Sequence, residues 1–115
     1  MRASVGAGVA GVVHACLATI GNLAVDQGVR EAVVPCLAAV QHATQRHVAN
    51  PLLVECCLKL FHCMSYNHKF ITMRCVNTIL MCLKQHPVQE AVVKWSLRIL
   101  DNLAFDFANK VRAES

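Results

Sequence analysis

One five-residue phrase occurs twice in this chain, and its recurrence narrows the fold more than any other feature. It reads Asn22-Leu23-Ala24-Val25-Asp26 and, 80 positions later, Asn102-Leu103-Ala104-Phe105-Asp106. Leu17 and Leu97 share the offset, as do Ile20 and Leu100, and a basic residue, Arg30 or Lys110, stands four places beyond each aspartate. A degenerate copy lies midway. Leu58, Phe61, Met64 and Ser65 follow Leu17, Ile20, Leu23 and Ala24 at 41 residues, with Cys63 in place of the asparagine. Self-similarity at about forty residues means one supersecondary unit repeated and stacked.

The units read as helices. Leu17, Ile20, Leu23 and Ala24 share one helical face. Asn50-Pro51 offers an N-cap followed by proline at the first helical position, starting a helix that should run to about Ser65. His86-Pro87 marks the next boundary, and a helix should follow from about Val88 to Phe105. Shorter helical stretches are expected at about Gly28 to Ala43, broken at Pro35, and at about Lys69 to Gln85, carrying Phe70, Met73, Val76, Leu80 and Leu83. Alternating strand patterns are absent. The expected class is all-α, with helix above roughly two thirds of the residues, about twice the base rate. Leu17, Ile20, Leu23, Leu58, Phe61, Met64, Leu97, Leu100 and Leu103 should form the core at equivalent places in three stacked helices.

These motifs resemble the armadillo repeat, whose long third helix often ends in Ser/Gly-Asn-Leu-Ala before a loop and a basic residue. Gly21-Asn22-Leu23-Ala24 with Arg30 is similar, as is Asp101-Asn102-Leu103-Ala104 with Lys110, and Val34-Pro35 resembles the start of the family's second helix. The resemblance covers about Val12 to Lys110. It implies a right-handed helical solenoid of about three repeats in a single segment, residues 1–115, with copies near 12–43, 50–85 and 87–115, the last incomplete. It also implies protein binding along a concave groove lined by the third helices, where asparagine amides hold the backbone of an extended peptide. In importin-type members a tryptophan precedes that asparagine by four residues. Ala18, Lys59 and Arg98 hold those places here, and Trp95 stands seven before Asn102, so a nuclear-localisation-signal groove is not implied.

Under that resemblance, Asn22, Cys63 and Asn102 make one ladder of the groove. Ala18, Lys59 and Arg98 make the next, and Ala15, Cys56 and Trp95 the next, with Lys94 beside it. The partner-binding candidates are therefore Asn22, Asn102, Lys59, Arg98, Trp95 and Lys94. Such a groove is mildly positive and suits a protein or peptide segment with acidic residues, Trp95 serving as apolar anchor. Asparagine is a poor helix-interior residue. Its repetition at one phase points either to peptide binding or to bonds with the following loop.

Composition sets limits on other functions. Hydrophobic residues make up 56% and charged residues only 16%, below the ~25% of ordinary soluble domains, so apolar surface must be covered by something. The net charge of +4 is scattered without a Lys/Arg run, which argues against nucleic acid. Ala3 to Val25 lacks charge, but its glycines, His14, Thr19 and Asn22 make it a weak membrane segment. Seven cysteines without CxxC spacing, several in apolar periodic segments (Cys16, Cys36, Cys75, Cys82), suit buried thiols in a reducing compartment, cytoplasmic or nuclear.

Three chemical motifs fare poorly. Gly6-Ala7-Gly8-Val9-Ala10-Gly11 matches a dinucleotide fingerprint, but the motif needs a strand before it where only five residues stand, and no βαβ pattern follows. Cys56, Cys57, His62 and Cys63 lie on one helix, which cannot wrap a metal tetrahedrally. No nucleophile motif or carboxylate pair appears. The expectation is a non-enzymatic protein-protein interaction module without cofactor or metal. The alternative is a structural piece that self-associates or packs through apolar ends. Met1 to Val13 carries no charge beyond Arg2, and Phe105 and Phe107 mark the other end. A closed two-fold dimer is the favoured form of that contact.

Overall fold

The computed structural model describes residues 2–67 and 72–114, with side chains described for 9–67 and 72–105. Helix makes up 83% of it, and no strand occurs among the described residues. The elements are α1 (Arg2–Leu23), α2 (Gln27–Val33), a 3-10 turn (Val34–Cys36), α3 (Leu37–Arg46), α4 (Pro51–Met64), α5 (Val76–Gln85) and α6 (Glu90–Glu114). Lys69 and Phe70, expected to open the stretch before α5, lie outside the described residues.

Local chemistry sets most boundaries. The Asn50 side chain accepts from the backbone N–H groups of Leu52 (3.2 Å) and Leu53 (3.3 Å). Pro51 occupies the first turn of α4, where its missing N–H costs nothing. Pro35 does not simply break a helix; it turns the junction of α2 and α3 into a 3-10 turn. Asp26 caps α2 by accepting from the Gly28 N–H at 2.8 Å. A Cβ at Gly28 would lie 3.2 Å from that carboxylate oxygen, so glycine suits the tight cap. The second copy behaves differently. α6 does not end near Phe105 but continues through Asp106 to Glu114. Ala108 stands where the first copy has Gly28, and alanine propagates a helix that glycine weakens.

α4 packs against α1 on one side and α6 on the other, while α3 rests on α4 and α5 on α6, with α3 and α5 touching each other. The result is a layer of three long helices backed by a layer of short ones. Side-chain hydrogen bonds tie each unit to the next at a nearly constant separation. Gln45 Nε2 donates to Thr78 Oγ1 (2.9 Å, 33 residues apart), and Asn102 Nδ2 to Ser65 Oγ (2.9 Å, 37 residues). His86 Nε2 meets the Val48 carbonyl (2.7 Å, 38 residues). Contacts recurring at 33 to 38 residues are consistent with a helical repeat-like fold.

The core follows from that stacking. α4 has neighbours on both sides and buries Leu53, Val54, Cys57, Leu58, Leu60, Phe61 and Met64 completely. The flanking helices have one such neighbour, so only one face of each is covered. Leu17 and Leu103 are buried as expected, and Ile20 and Leu100 are half-buried. Leu23 and Leu97 are not core: they are 53% and 54% exposed, on the sides of α1 and α6 that face away from α4. α6 buries Val92, Ser96, Ile99 and Leu103 instead. Cys16 and Cys36 are also exposed rather than buried, whereas Cys57, Cys75 and Cys82 are interior. In α5 the covered face is Cys75, Thr78, Ile79 and Cys82, while Met73 and Leu80 are exposed.

Candidate partner-binding groove

The long helices present one edge each to a shared groove of about 260 Å³. α1 contributes Leu17, Ala18, Gly21 and Asn22, α4 contributes Cys56, Lys59, His62 and Cys63, and α6 contributes Trp95. Helical periodicity explains the membership. Cys56, Lys59 and Cys63 follow each other at three- and four-residue steps and so share a face, as do Ala18 and Asn22. Gly21 leaves the wall low, since nothing lies within 4 Å of a Cβ built there.

Trp95 is the centre of the charge pattern. The Lys94 ammonium lies 5.0 Å from its ring centroid, the Arg98 guanidinium 5.2 Å and the Lys59 ammonium 5.9 Å. All are within cation–π range. Lys59 also pairs with Glu55 at 3.2 Å. Among the described residues no carboxylate pairs with Lys94 or Arg98. The His62 ring meets Trp95 edge-on at 5.1 Å and Tyr66 edge-on at 5.1 Å. Burial, then the nearby Arg98 and Arg30 charges, lower the His62 pKa from its ordinary value.

Arg30 ties the end of α1 to the chain beyond α4. Its guanidinium donates to the carbonyls of Ala24 (2.6 Å) and Val25 (3.0 Å) at the end of α1, and to Asn67 Oδ1 beyond α4. It lies 5.9 Å from the Tyr66 ring centroid. A cation at a helix C-terminus satisfies exposed carbonyls and the helix dipole together.

Of the residues singled out from sequence, Asn22, Lys59 and Trp95 line the groove, and Lys94 and Arg98 flank the tryptophan ring. Asn102 does not line it; its amide is bonded to Ser65. Sequence reasoning missed His62 as a groove residue. Its place was signalled, since His62 lies three residues after Lys59 and continues one face.

Other chemistry lacks a site. Gly6 to Gly11 lie inside α1, so the glycine turn a dinucleotide motif requires is not formed. Among the described residues no group of three or more His, Cys, Asp or Glu could hold a metal ion. Cys56 Sγ is 3.3 Å from His14 Nε2, but burial, its largest influence, raises the Cys56 pKa, the reverse of an activated thiolate. No described helix is long and apolar enough to cross a membrane. Comparison with protein families, curated proteins and solved structures finds no match to the chain.

Proposed function

We propose that this chain is a segment of an armadillo-type solenoid, a non-enzymatic module that binds an extended acidic segment of a partner protein. The observation that carries the reading is the convergence of Lys59, Lys94 and Arg98 on the single tryptophan of the chain, Trp95, beside a groove that also holds Asn22. Lys94 and Arg98 have donors to spare. Carboxylates of an incoming strand offer charge-assisted hydrogen bonds to them, while an apolar side chain settles on the indole and Asn22 grips the backbone. Burial of the aromatic anchor supplies affinity, and the cations supply orientation and association rate. Seven cysteines without CxxC spacing suit a reducing compartment, cytoplasm or nucleus.

The lone tryptophan makes the test direct. Three short synthetic peptides are titrated against Trp95 emission: one of alternating Glu and Thr with a central Leu, and its Gln and Lys counterparts. The Glu peptide should shift the emission saturably and lose its effect against Lys94→Glu/Arg98→Glu. Equal response to all three peptides, or none to any, rejects the reading.

A second reading, self-association through the ends of the stack, is favoured by a separate observation. Leu23 and Val12 on α1, and Leu97 and Phe105 on α6, are each more than half exposed.

A further inference from the structure

The exposed faces at the two ends of the helix layer are the two halves of the interface that holds the layer together. The repeat register shows this residue by residue. One face of each long helix looks towards the following unit. In α1 it is Leu17, Ile20 and Ala24, and in α4 it is Leu58, Phe61 and Ser65. All are buried except half-buried Ile20. The same positions in α6 are Leu97, Leu100 and Ala104. There Leu97 and Ala104 are exposed, and the face forms a wide shallow depression.

A second face, about a quarter-turn round each helix, serves the contact with what precedes it in the stack. In α4 it is Leu53, Leu60 and Met64, with Cys57 beside them against Thr44 of α3, all fully buried. In α6 it is Val92, Ser96, Ile99 and Leu103, all at most 4% exposed. The equivalent set in α1 is Val12, Cys16, Thr19 and Leu23, and all four are exposed. α6 thus offers the surface by which α1 and α4 receive a following helix. α1 offers the surface by which α4 and α6 dock on a preceding one.

We infer that the chain associates with further copies of itself head to tail, the Val12–Leu23 face of α1 in one copy docking on the Leu97–Ala104 face of α6 in another. The contact continues the α1–α4 and α4–α6 packing with the same residue positions. Its two sides are different surfaces, so it is heterologous and propagates instead of closing as a two-fold dimer. This does not depend on peptide binding in the groove, which lies along the edge of the layer.

Sedimentation velocity of the full chain over a concentration series tests it, with Val12→Glu and Leu97→Glu each blocking one side. Both positions are more than half exposed, and circular dichroism confirms that the variants fold. Wild type should grow past dimer with concentration, and each single variant should stay monomeric. An equimolar mixture of the two should form a dimer and nothing larger, because only one compatible pair of faces remains. A monomeric wild type at the highest concentration overturns the inference. So does a dimer that one variant abolishes and the other leaves intact, which would mark a two-fold contact through a single end.

Discussion

The Asn102 amide donates to the Ser65 hydroxyl at 2.9 Å, and that hydroxyl donates in turn to the His62 carbonyl at 2.6 Å. Ser65 is fully buried, so the asparagine supplies the partner its oxygen needs across the α4–α6 seam. One unit earlier the corresponding positions are Cys63 and Ala24, and alanine offers no hydroxyl for an asparagine to reach. Asn22 is exposed in the groove wall. The two asparagines of the repeat therefore stand in different surroundings. Asn102→Ala should cost about 1–2 kcal/mol in urea denaturation, the usual loss when a buried hydrogen-bonding group loses its partner. Asn22→Ala should change stability by less than about 0.5 kcal/mol while weakening the Glu peptide. Equal destabilisation by both would show that the Ser65 bond has no special weight.

A similar split is expected between two neighbouring apolar residues of α6. Ile99→Ala should lose about 2–5 kcal/mol by transfer and cavity terms, since Ile99 is fully buried. Leu97→Ala should lose less than about 1 kcal/mol. Equal losses in thermal or urea unfolding would contradict the stacking described. The pair also shows what the sequence could and could not disclose. Apolar residues at Leu97 and Ile99 both announce a helix, and the repeat phase correctly grouped Leu97 with Leu17 and Leu58. Phase alone does not say whether a face has a neighbour. Leu17 and Leu58 are covered because α4 and α6 lie over them, and Leu97 is bare because no described helix does. Asn50-Pro51 was readable because a cap is a local event. The run of α6 past Asp106 was not, because it turns on residues flanking the shared phrase, where Asp101, Phe107 and Ala108 replace Gly21, Gln27 and Gly28. In the groove, Lys59 and Trp95 were placed by periodicity, which also reached His62, but the edge-on contact of His62 with Trp95 depended on α4 and α6 meeting.

Ser96 is fully buried in α6, and its hydroxyl has no hydrogen-bond partner. It occupies the repeat position that Cys57 fills in α4. An unpaired buried hydroxyl forfeits its bonds to water, so Ser96→Ala should raise stability by about 1 kcal/mol. The variant barely changes volume, and no cavity term competes. A loss in urea midpoint of comparable size would mean that the hydroxyl is bonded in solution.

His62 gives the groove a pH response. Its folded pKa lies below the ordinary histidine value because of burial and the Arg98 and Arg30 charges. The unfolded chain therefore binds the proton more readily. Stability should be complete above the ordinary histidine range and decline as pH falls from there to the folded pKa. His62→Gln should flatten that stretch of the stability–pH curve. The charges acting on the ring are Arg98 and Arg30, both positive, and its ring neighbours are Tyr66 and Trp95. Carboxylates from the Glu peptide would offset the cations, raise the His62 pKa and drive proton uptake. Affinity should then increase as pH falls through that window, and calorimetry in buffers of different ionisation enthalpy should register the uptake. An affinity independent of pH would remove His62 from the site.

The cysteines separate into two kinetic classes, and one of them reports on assembly. Burial pushes the Cys57 thiol up to about 12 and the Cys75 and Cys82 thiols up to about 11. All three are at most 2% exposed, so a thiol reagent should reach them only when the protein opens. Cys16 and Cys36 are exposed and should react without waiting for the protein to open. Cys16 lies on the outward face of α1 between Val12 and Thr19, the face assigned to self-association, while Cys36 lies in the turn between α2 and α3, away from it. In the otherwise unmodified protein, self-association should slow labelling of Cys16 as concentration rises and leave Cys36 unaffected. With Cys36, Cys56 and Cys63 replaced by serine to direct the reagent, since the last two are half-buried in the groove wall, a bulky maleimide on Cys16 should hold the protein monomeric. With Cys16, Cys56 and Cys63 replaced instead, the same reagent on Cys36 should leave association intact. Labelling of Cys16 that is insensitive to concentration, or a modified Cys16 protein that still assembles, would remove the α1 face from the contact.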